Sequence, residues 1–528
     1  MTSSEQDGTS LLKIVGLPSP LELHERKVSR VSSLLFAGFI VAIPFWIVFV
    51  LPLVAAYQIV SRIVRLFQKQ SRPTYDLGVR APATADIRPR AERTYDIVLL
   101  GCTGFTGRLA ARHLVQKYTA SQKSTSSPSS SSRVAVKWAL AGRSLDKLKT
   151  VRTALADEFK RPEILERVNL IVVDTTDPTT LPSMVENTRC VATTAGPYQE
   201  YGCGVIEACA KFGTHYVDIT GEVGWVKQMM VKWGDVAKET GAKIVPFCGH
   251  DSIPWDLTVL KLNQLLAERC KDDLETVKVW DEFISEAPGG TYATALLNLE
   301  GNGTNSPRCK IDPFLQLHDG TKSTHSTREN LPLWIDPFVD GRWTSPFIMA
   351  VVNAKIVRWT HALRQQGAKV ISYREVVVHA DFQTAFVAHM GLIMVGSLLL
   401  NPLTKWLAHA VFLPRPGEGP SMDTMEKTHY LLISAEGLGT NGNRVETTLY
   451  FPQDPGCLET AKMMVEAGLA LALSETSNQK RPLPSKDQGG FWSPAAALGD
   501  ILLDRLIDVG AEFNSRVVPM KDEKDKTA

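Results

Sequence analysis

Three glycines spaced by three close the stretch YDIVLLGCTGFTG, which runs from Tyr95 to Gly107. An apolar run ends at Gly101, and a helical pattern opens at Phe105. At a strand-to-helix junction such glycines have distinct uses. Gly101 permits a tight turn, Gly104 lets the backbone approach a pyrophosphate, and Gly107 allows close helix–strand packing. The free N–H groups and positive dipole end of the helix then favour the phosphates, with Thr103, Phe105 and Thr106 lining the same turn. The next strand ends WALAGRS, where an acidic residue would hold a ribose 2′-hydroxyl; Arg143 stands there instead. A guanidinium pairs with a 2′-phosphate, helped by Ser144 and Lys147, so the expected cofactor is NADP(H).

A hydride transfer is matched by a proton transfer, so an acid is expected nearby. TTAGPYQEYG (Thr193–Gly202) follows the fourth strand, where Gly196 and Pro197 bring backbone close to a ligand. Tyr198 and Tyr201 are candidate proton donors, and His250 of CGHDSIPWDL (Cys248–Leu257) is a third. Asp218, Glu222 and Asp251 reach the same edge, each equally suited to capping a helix or to catalysis. No spacing in the chain selects one acid among these.

The elements that must position these groups alternate strand and helix from Tyr95 to Cys248, which predicts a Rossmann-type, doubly wound parallel α/β sheet over residues 94–250. A Ser-rich insertion at 118–132 interrupts it. Residues 251–490 carry longer strands with few helices between them, which predicts a second α+β domain on an antiparallel sheet. A helix in 491–513 is expected to return to the first domain, ahead of a solvated tail at 514–528.

Upstream, a polar tail (1–30) precedes an anchor segment (31–68) and a Pro/Arg/Ala-rich linker (69–93). Between Arg30 and Arg62 there is no charge, whereas about 20 apolar residues suffice to cross a bilayer. A kink at Pro44 or Pro52, or a shallow hairpin, is compatible with that length. The excess of Lys and Arg after the segment and the scattered cysteines favour a cytosolic body. A second apolar stretch, 386–414, is interrupted by His389, Lys405 and His409, and reads either as an interfacial or channel-lining element or as a buried helix pair. A net charge of +2 gives no field for nucleic acid, and no Cys/His spacing suits a metal.

At these residues the chain resembles the saccharopine dehydrogenase-like oxidoreductases, and within them the trans-acting enoyl reductase group. WALAGRSLDKL, TTAGPYQEYG, ACAKFGTHYVDITGE, GHDSIPWDL, APGGTYATAL, LPRPGEGPS and GFWSPAAALGDILLDRL carry the resemblance from about Tyr95 to Phe513. It implies a Rossmann domain, an NADP-type cofactor and lipid- or polyketide-like substrates. Animal relatives imply a lipid-droplet, endoplasmic-reticulum or other membrane surface, and a homodimer is compatible with the pattern. His250 stands where many relatives carry Phe, and the anchor and Ser-rich insertion lie outside the family pattern. The expected activity is an enoyl reductase. The alternatives are an imine or ketone reductase of secondary metabolism and a non-catalytic lipid-surface protein that keeps the cofactor fold.

Overall fold

The computed structural model describes residues 31, 33–67, 76–83, 86–119, 136–285, 310–338, 341–400, 419–474, 482–485 and 488–518. The N-terminal tail, most of the Ser-rich insertion, the APGGTYATAL motif and residues 401–414 of the second apolar stretch lie outside them.

Six strands in chain order build most of the first sheet: β1 (Tyr95–Leu100), β2 (Trp138–Gly142), β3 (Asn169–Val172), β4 (Thr188–Thr193), β5 (His215–Asp218) and β6 (Lys243–Val245). Every pairing is parallel, in the order β6-β5-β4-β1-β2-β3. The reversal of strand order falls between β1 and β4, where ligands bind at carboxyl ends. Central β1 is buried on both faces, which is why Ile97–Leu100 reads as an unbroken apolar run, whereas the edge strand β3 is part exposed. Ile97 and Leu99 face one core with helix α3 (Phe105–Tyr118), while Val98 and Leu100 face another with α5 (Cys203–Phe212) and α6 (Val223–Thr240). Helix α4 (Leu145–Glu158) follows β2 and opens with Ser144 Oγ accepting from Lys147 N at 3.4 Å.

The second sheet contains β7 (Leu274–Ile284), β8 (Ser326–Glu329), β9 (Asp336–Pro337), β10 (Trp343–Pro346), β11 (Val370–His379), β12 (Tyr430–Gly439) and β13 (Arg444–Phe451). It is mixed, not antiparallel throughout, because β11 runs parallel to both β7 and β8. Helix α8 (Ala350–Arg364) supplies the crossover before β11 that parallel neighbours require. Helix α7 (Ile253–Leu265), which leaves the β6 loop, packs on this sheet, so residues of α7, β7 and β12 join the core of β1 and α3.

Three expectations about boundaries change. The first concerns the linker, whose last part is docked on the parallel sheet's domain. The fully buried Glu207 carboxylate accepts from Leu77 N (2.7 Å) and Val79 N (2.8 Å), and Arg93 donates to the Thr188 and Phe212 carbonyls. Second, the C-terminal part returns to the first domain earlier than residue 491. Helix α10 (Thr460–Ala472) lies across its sheet, and a Cβ on Gly468 would come within 2.9 Å of Ile97 Cδ1 and 3.2 Å of Val217 Cγ2. Strand β14 (Gly490–Phe491) then extends the sheet beyond β6, before helix α11 (Asp500–Asp508). Third, residues 514–518 belong to the fold and not to a tail, because β15 (Glu512–Val518) pairs with β13 as the edge of the second sheet.

The N-terminal apolar segment is a helix, α1 (Ser33–Phe45), continuing through a π-turn (Trp46–Val50) into α2 (Leu51–Phe67). It packs against α9 (Phe382–Leu400), the described part of the second apolar stretch.

Candidate active site

The glycine turn sits at the carboxyl end of β1 and meets the loop after β4. Thr194 N donates to Leu100 O at 2.9 Å and Thr194 Oγ1 to Gly101 O at 3.1 Å, so the two loops form one rim. Gly101 has φ +87°, and a Cβ there would lie 2.8 Å from Ala195 N. A Cβ on Gly107 would collide with Gly101 O and lie 2.8 Å from Cys102 Cα, which is the close helix–strand approach expected of the third glycine. Gly104 has an ordinary φ of −75° and caps α3 through its backbone, with no side chain in the way. The first turn of α3 carries no acidic residue, so its N–H groups and dipole remain available to an anion. This cradle fits a dinucleotide pyrophosphate. Thr103, Phe105 and Thr106 are half-buried in the same turn.

Arg143 is exposed at the carboxyl end of β2, its guanidinium 5.8 Å from the ring centroid of Tyr201. Tyr201 therefore stands beside Arg143 on the β2 side of the cradle, as a stacking partner for the guanidinium.

Tyr198 is 4% exposed, and its hydroxyl donates to Thr193 O at 3.1 Å. Burial, reinforced by Asp218, pushes that hydroxyl well above the ordinary phenol range. Its ring lies 5.8 Å from Trp225. Tyr198 thus braces the loop from beneath, and exposed Gly196 and half-buried Pro197 form the surface above it. Glu222, fully buried, holds the same loop. Its Oε1 accepts from Tyr198 N at 2.9 Å and its Oε2 from Gln199 N at 2.8 Å. Asp218 is also committed, accepting from Tyr216 Oη (2.7 Å), Thr220 N (3.0 Å) and Phe247 N (3.1 Å), while burial lifts it to about 7. Neither carboxylate caps the helix that follows it: Asp218 ties loop amides together, and Glu222 holds the first amides of the short Tyr198–Tyr201 helix instead.

His250 and Asp251 occupy the loop after β6. His250 N donates to Thr460 Oγ1 at 3.0 Å, which ties the loop to α10. The ring packs 5.1 Å from Trp255, which in turn lies 5.6 Å from Phe347; Phe347 is 5.5 Å from Phe283. This aromatic chain joins the edge of the parallel sheet to the second sheet. Among the described residues His250 Nδ1 has no hydrogen-bond partner, and burial drives the imidazole down to about 3, leaving it neutral. Asp251 is half-buried and its carboxylate has no partner among the described residues, so burial alone lifts it to about 6.

Sequence reasoning missed two residues of this rim. Thr194 bridges the two loops, and Gly419, from the far end of the chain, lies so close to the Phe105 ring that a Cβ would press into it. Gly419 falls within LPRPGEGPS, so motif order signalled its importance without giving its place.

A parallel sheet with this cradle at its switch point defines a dinucleotide-dependent oxidoreductase of Rossmann type. Comparison with known proteins narrows the class. The chain is 33% identical over 442 residues to a trans-acting enoyl reductase of Mycobacterium tuberculosis, covering 80% of this chain and 97% of that protein. A trans-acting enoyl reductase of Mycobacterium ulcerans is 33% identical over 439 residues, with the same coverage. The chain belongs to the trans-acting enoyl reductase family. No family model matches it. Among solved structures, the apo saccharopine dehydrogenase (L-Glu forming) of Saccharomyces cerevisiae aligns over 80% of this chain and 100% of its own, at 12% identity and a TM-score of 0.47. The homospermidine synthase of Legionella pneumophila in complex with NAD aligns over 80% and 91%, at 11% identity and a TM-score of 0.41.

Proposed function

We propose that this protein is an NADPH-dependent enoyl reductase that works at a membrane on a lipid- or polyketide-like substrate. The observation that carries the cofactor reading is Arg143 at the end of β2, exposed beside Tyr201 where NAD-preferring sites place a carboxylate. With its pyrophosphate in the glycine cradle, a bound reduced nicotinamide would supply a hydride to one carbon of the double bond, the other carbon taking a proton and the cofactor leaving oxidised.

The residues of this chain do the rest. Gly101 and Gly107 admit the pyrophosphate, and Arg143 takes the 2′-phosphate. Tyr198, Glu222 and Asp218 hold the loop rigid, which leaves Asp251 as the carboxyl at the rim able to carry a proton near neutral pH. Beyond the buried Trp255, half-buried Phe347 and Phe283 offer an apolar surface for a greasy acyl group. The apolar helices α1 and α9 supply the reason for a lipid substrate, since such a molecule partitions where they do.

Titrating NADPH and NADH against the purified protein tests the cofactor reading. Arg143→Ala is expected to weaken NADPH by about tenfold or more, on the order of 1.4 kcal/mol, and NADH by much less. Equal losses would remove the phosphate-pairing role. Mass spectrometry of enoyl and keto lipids incubated with enzyme and NADPH tests the reaction: a gain of two hydrogens at the C=C bond is expected. Gain only at C=O would make it a ketone reductase, and NADPH binding without turnover a non-catalytic protein.

A further inference from the structure

We infer that the two apolar helices lie side by side in a single leaflet, entered and left from the face that carries the catalytic body, so that the chain does not cross the membrane. This rests on the membrane reading proposed above.

Helices α1 and α9 run in the same direction. Val31 N donates to Thr384 Oγ1 at 3.3 Å at their starts. Phe36 then packs on Phe382 and Phe386, with centroids 6.1 and 5.6 Å apart. A Cβ on Gly391 would lie 3.7 Å from the Phe39 ring, and further along Trp46 packs against Leu398 and Leu399. Both helices therefore begin at the same level. That level is the body, because Phe382 sits on Trp343 of β10 with centroids 4.9 Å apart. From there α1 offers lipid an apolar surface on the sides turned away from α9, Leu34 being 85% and Val41 77% exposed.

The chain must also come back. Helix α2 ends at Phe67, and by Leu77 the backbone is bound to Glu207 on the first domain. From Phe67 to Asp76 the chain reaches at most about 32 Å. A return across the ~30 Å hydrocarbon core would need QKQSRPTY fully extended through lipid, with its backbone groups unsatisfied and Lys69 and Arg72 in the apolar layer. A full crossing by α1 is therefore incompatible with a body that holds both Val31 and Leu77. A helix of about 35 residues, ~52 Å long, can instead lie shallowly in one leaflet. The sequence puts Arg62 and Arg65 in its last two turns, as an end at the headgroup level requires.

The body's own rim is consistent with this placement. Leu333 is 89% and Trp334 54% exposed, and the Trp334 ring lies 5.1 Å from His389 on α9. An exposed tryptophan beside an immersed helix suits the headgroup level. The end of the second domain that carries Trp334 and Trp343 thus faces the lipid.

The full chain carrying one epitope tag at each end, expressed in microsomes, tests this. Alkaline carbonate extraction reads membrane insertion, and protease treatment of intact vesicles reads sidedness. The expected result is a pelleted protein with both tags digested without detergent. A pelleted protein whose N-terminal tag is protected while the C-terminal tag is lost shows a crossing and overturns the inference alone. A protein recovered in the supernatant, as monomer or as a defined oligomer that covers α1 with a second copy, overturns the membrane reading and this inference together. Leu333→Asp with Trp334→Asp is expected to weaken binding of the purified chain to phosphatidylcholine vesicles several-fold and leave NADPH affinity unchanged; unchanged vesicle binding would overturn the placement of this rim.

Discussion

Asp251 shows how a residue's neighbours decide its chemistry. Five carboxyl or phenol groups reach the carboxyl edge of the parallel sheet within Tyr198–Asp251, and their side chains alone do not rank them. Tyr198, Asp218 and Glu222 spend their polar atoms on backbone groups and, for Asp218, on the Tyr216 hydroxyl as well, and Tyr201 is drawn to Arg143. Asp251 has burial without a partner among the described residues, so its acid form persists to about pH 6. If it delivers the proton, the acid form is the active one, and kcat/KM falls as pH rises through about 6. Asp251→Asn is then expected to lower kcat by on the order of 10²–10⁴-fold and to abolish that limb of the pH profile. A variant that keeps the rate and the limb assigns the proton to His250 or to water. The sequence named Asp251 only as one of several equal carboxylates, because the contact that sets its loop, from His250 N to Thr460 Oγ1, joins residues 210 positions apart.

At the scale of elements, α10 deserves the most weight. A helix read from the sequence as part of the second domain in fact closes one face of the parallel sheet, and it does so at Gly468, where Ile97, Val217 and Cys190 leave no room for a side chain. Gly468→Val is expected to overpack that contact and destabilise the protein by about 1–3 kcal/mol, measured by denaturant unfolding with the cofactor site intact. A neutral result would mean that the sheet and α10 separate readily. The alternation of strands and helices from Tyr95 to Val245 was legible because each apolar run has the length and spacing of its element. The partner strand of β15 and the parallel direction of β11 were not, since pairing depends on which residues meet across the chain.

At the scale of the whole molecule, one apolar core runs from β1 and α3 through α7 to β12, so the two sheets share their interior. That continuity places the aromatic chain from His250 to Phe283 on both sheets at once. The apolar helices attach to the second sheet through β10 and α9. Because α9 belongs to the body, a chain lacking residues 1–67 is expected still to sediment with microsomal membranes, more weakly than the full chain. Complete release into the soluble fraction would confine membrane binding to α1 and α2.

The sequence by itself determined the cofactor cradle, the parallel sheet and the apolar helix, since each rests on residues close together in the chain. Glycine spacing, strand periodicity and the absence of charge are local quantities that no later contact can reverse. Only the tertiary structure decided which polar groups are spent and which are free, where α10 and the linker dock, and that α1 starts beside α9. Those outcomes depend on hydrogen bonds and packing between segments tens to hundreds of residues apart, such as Glu207 with Leu77 and Val31 with Thr384.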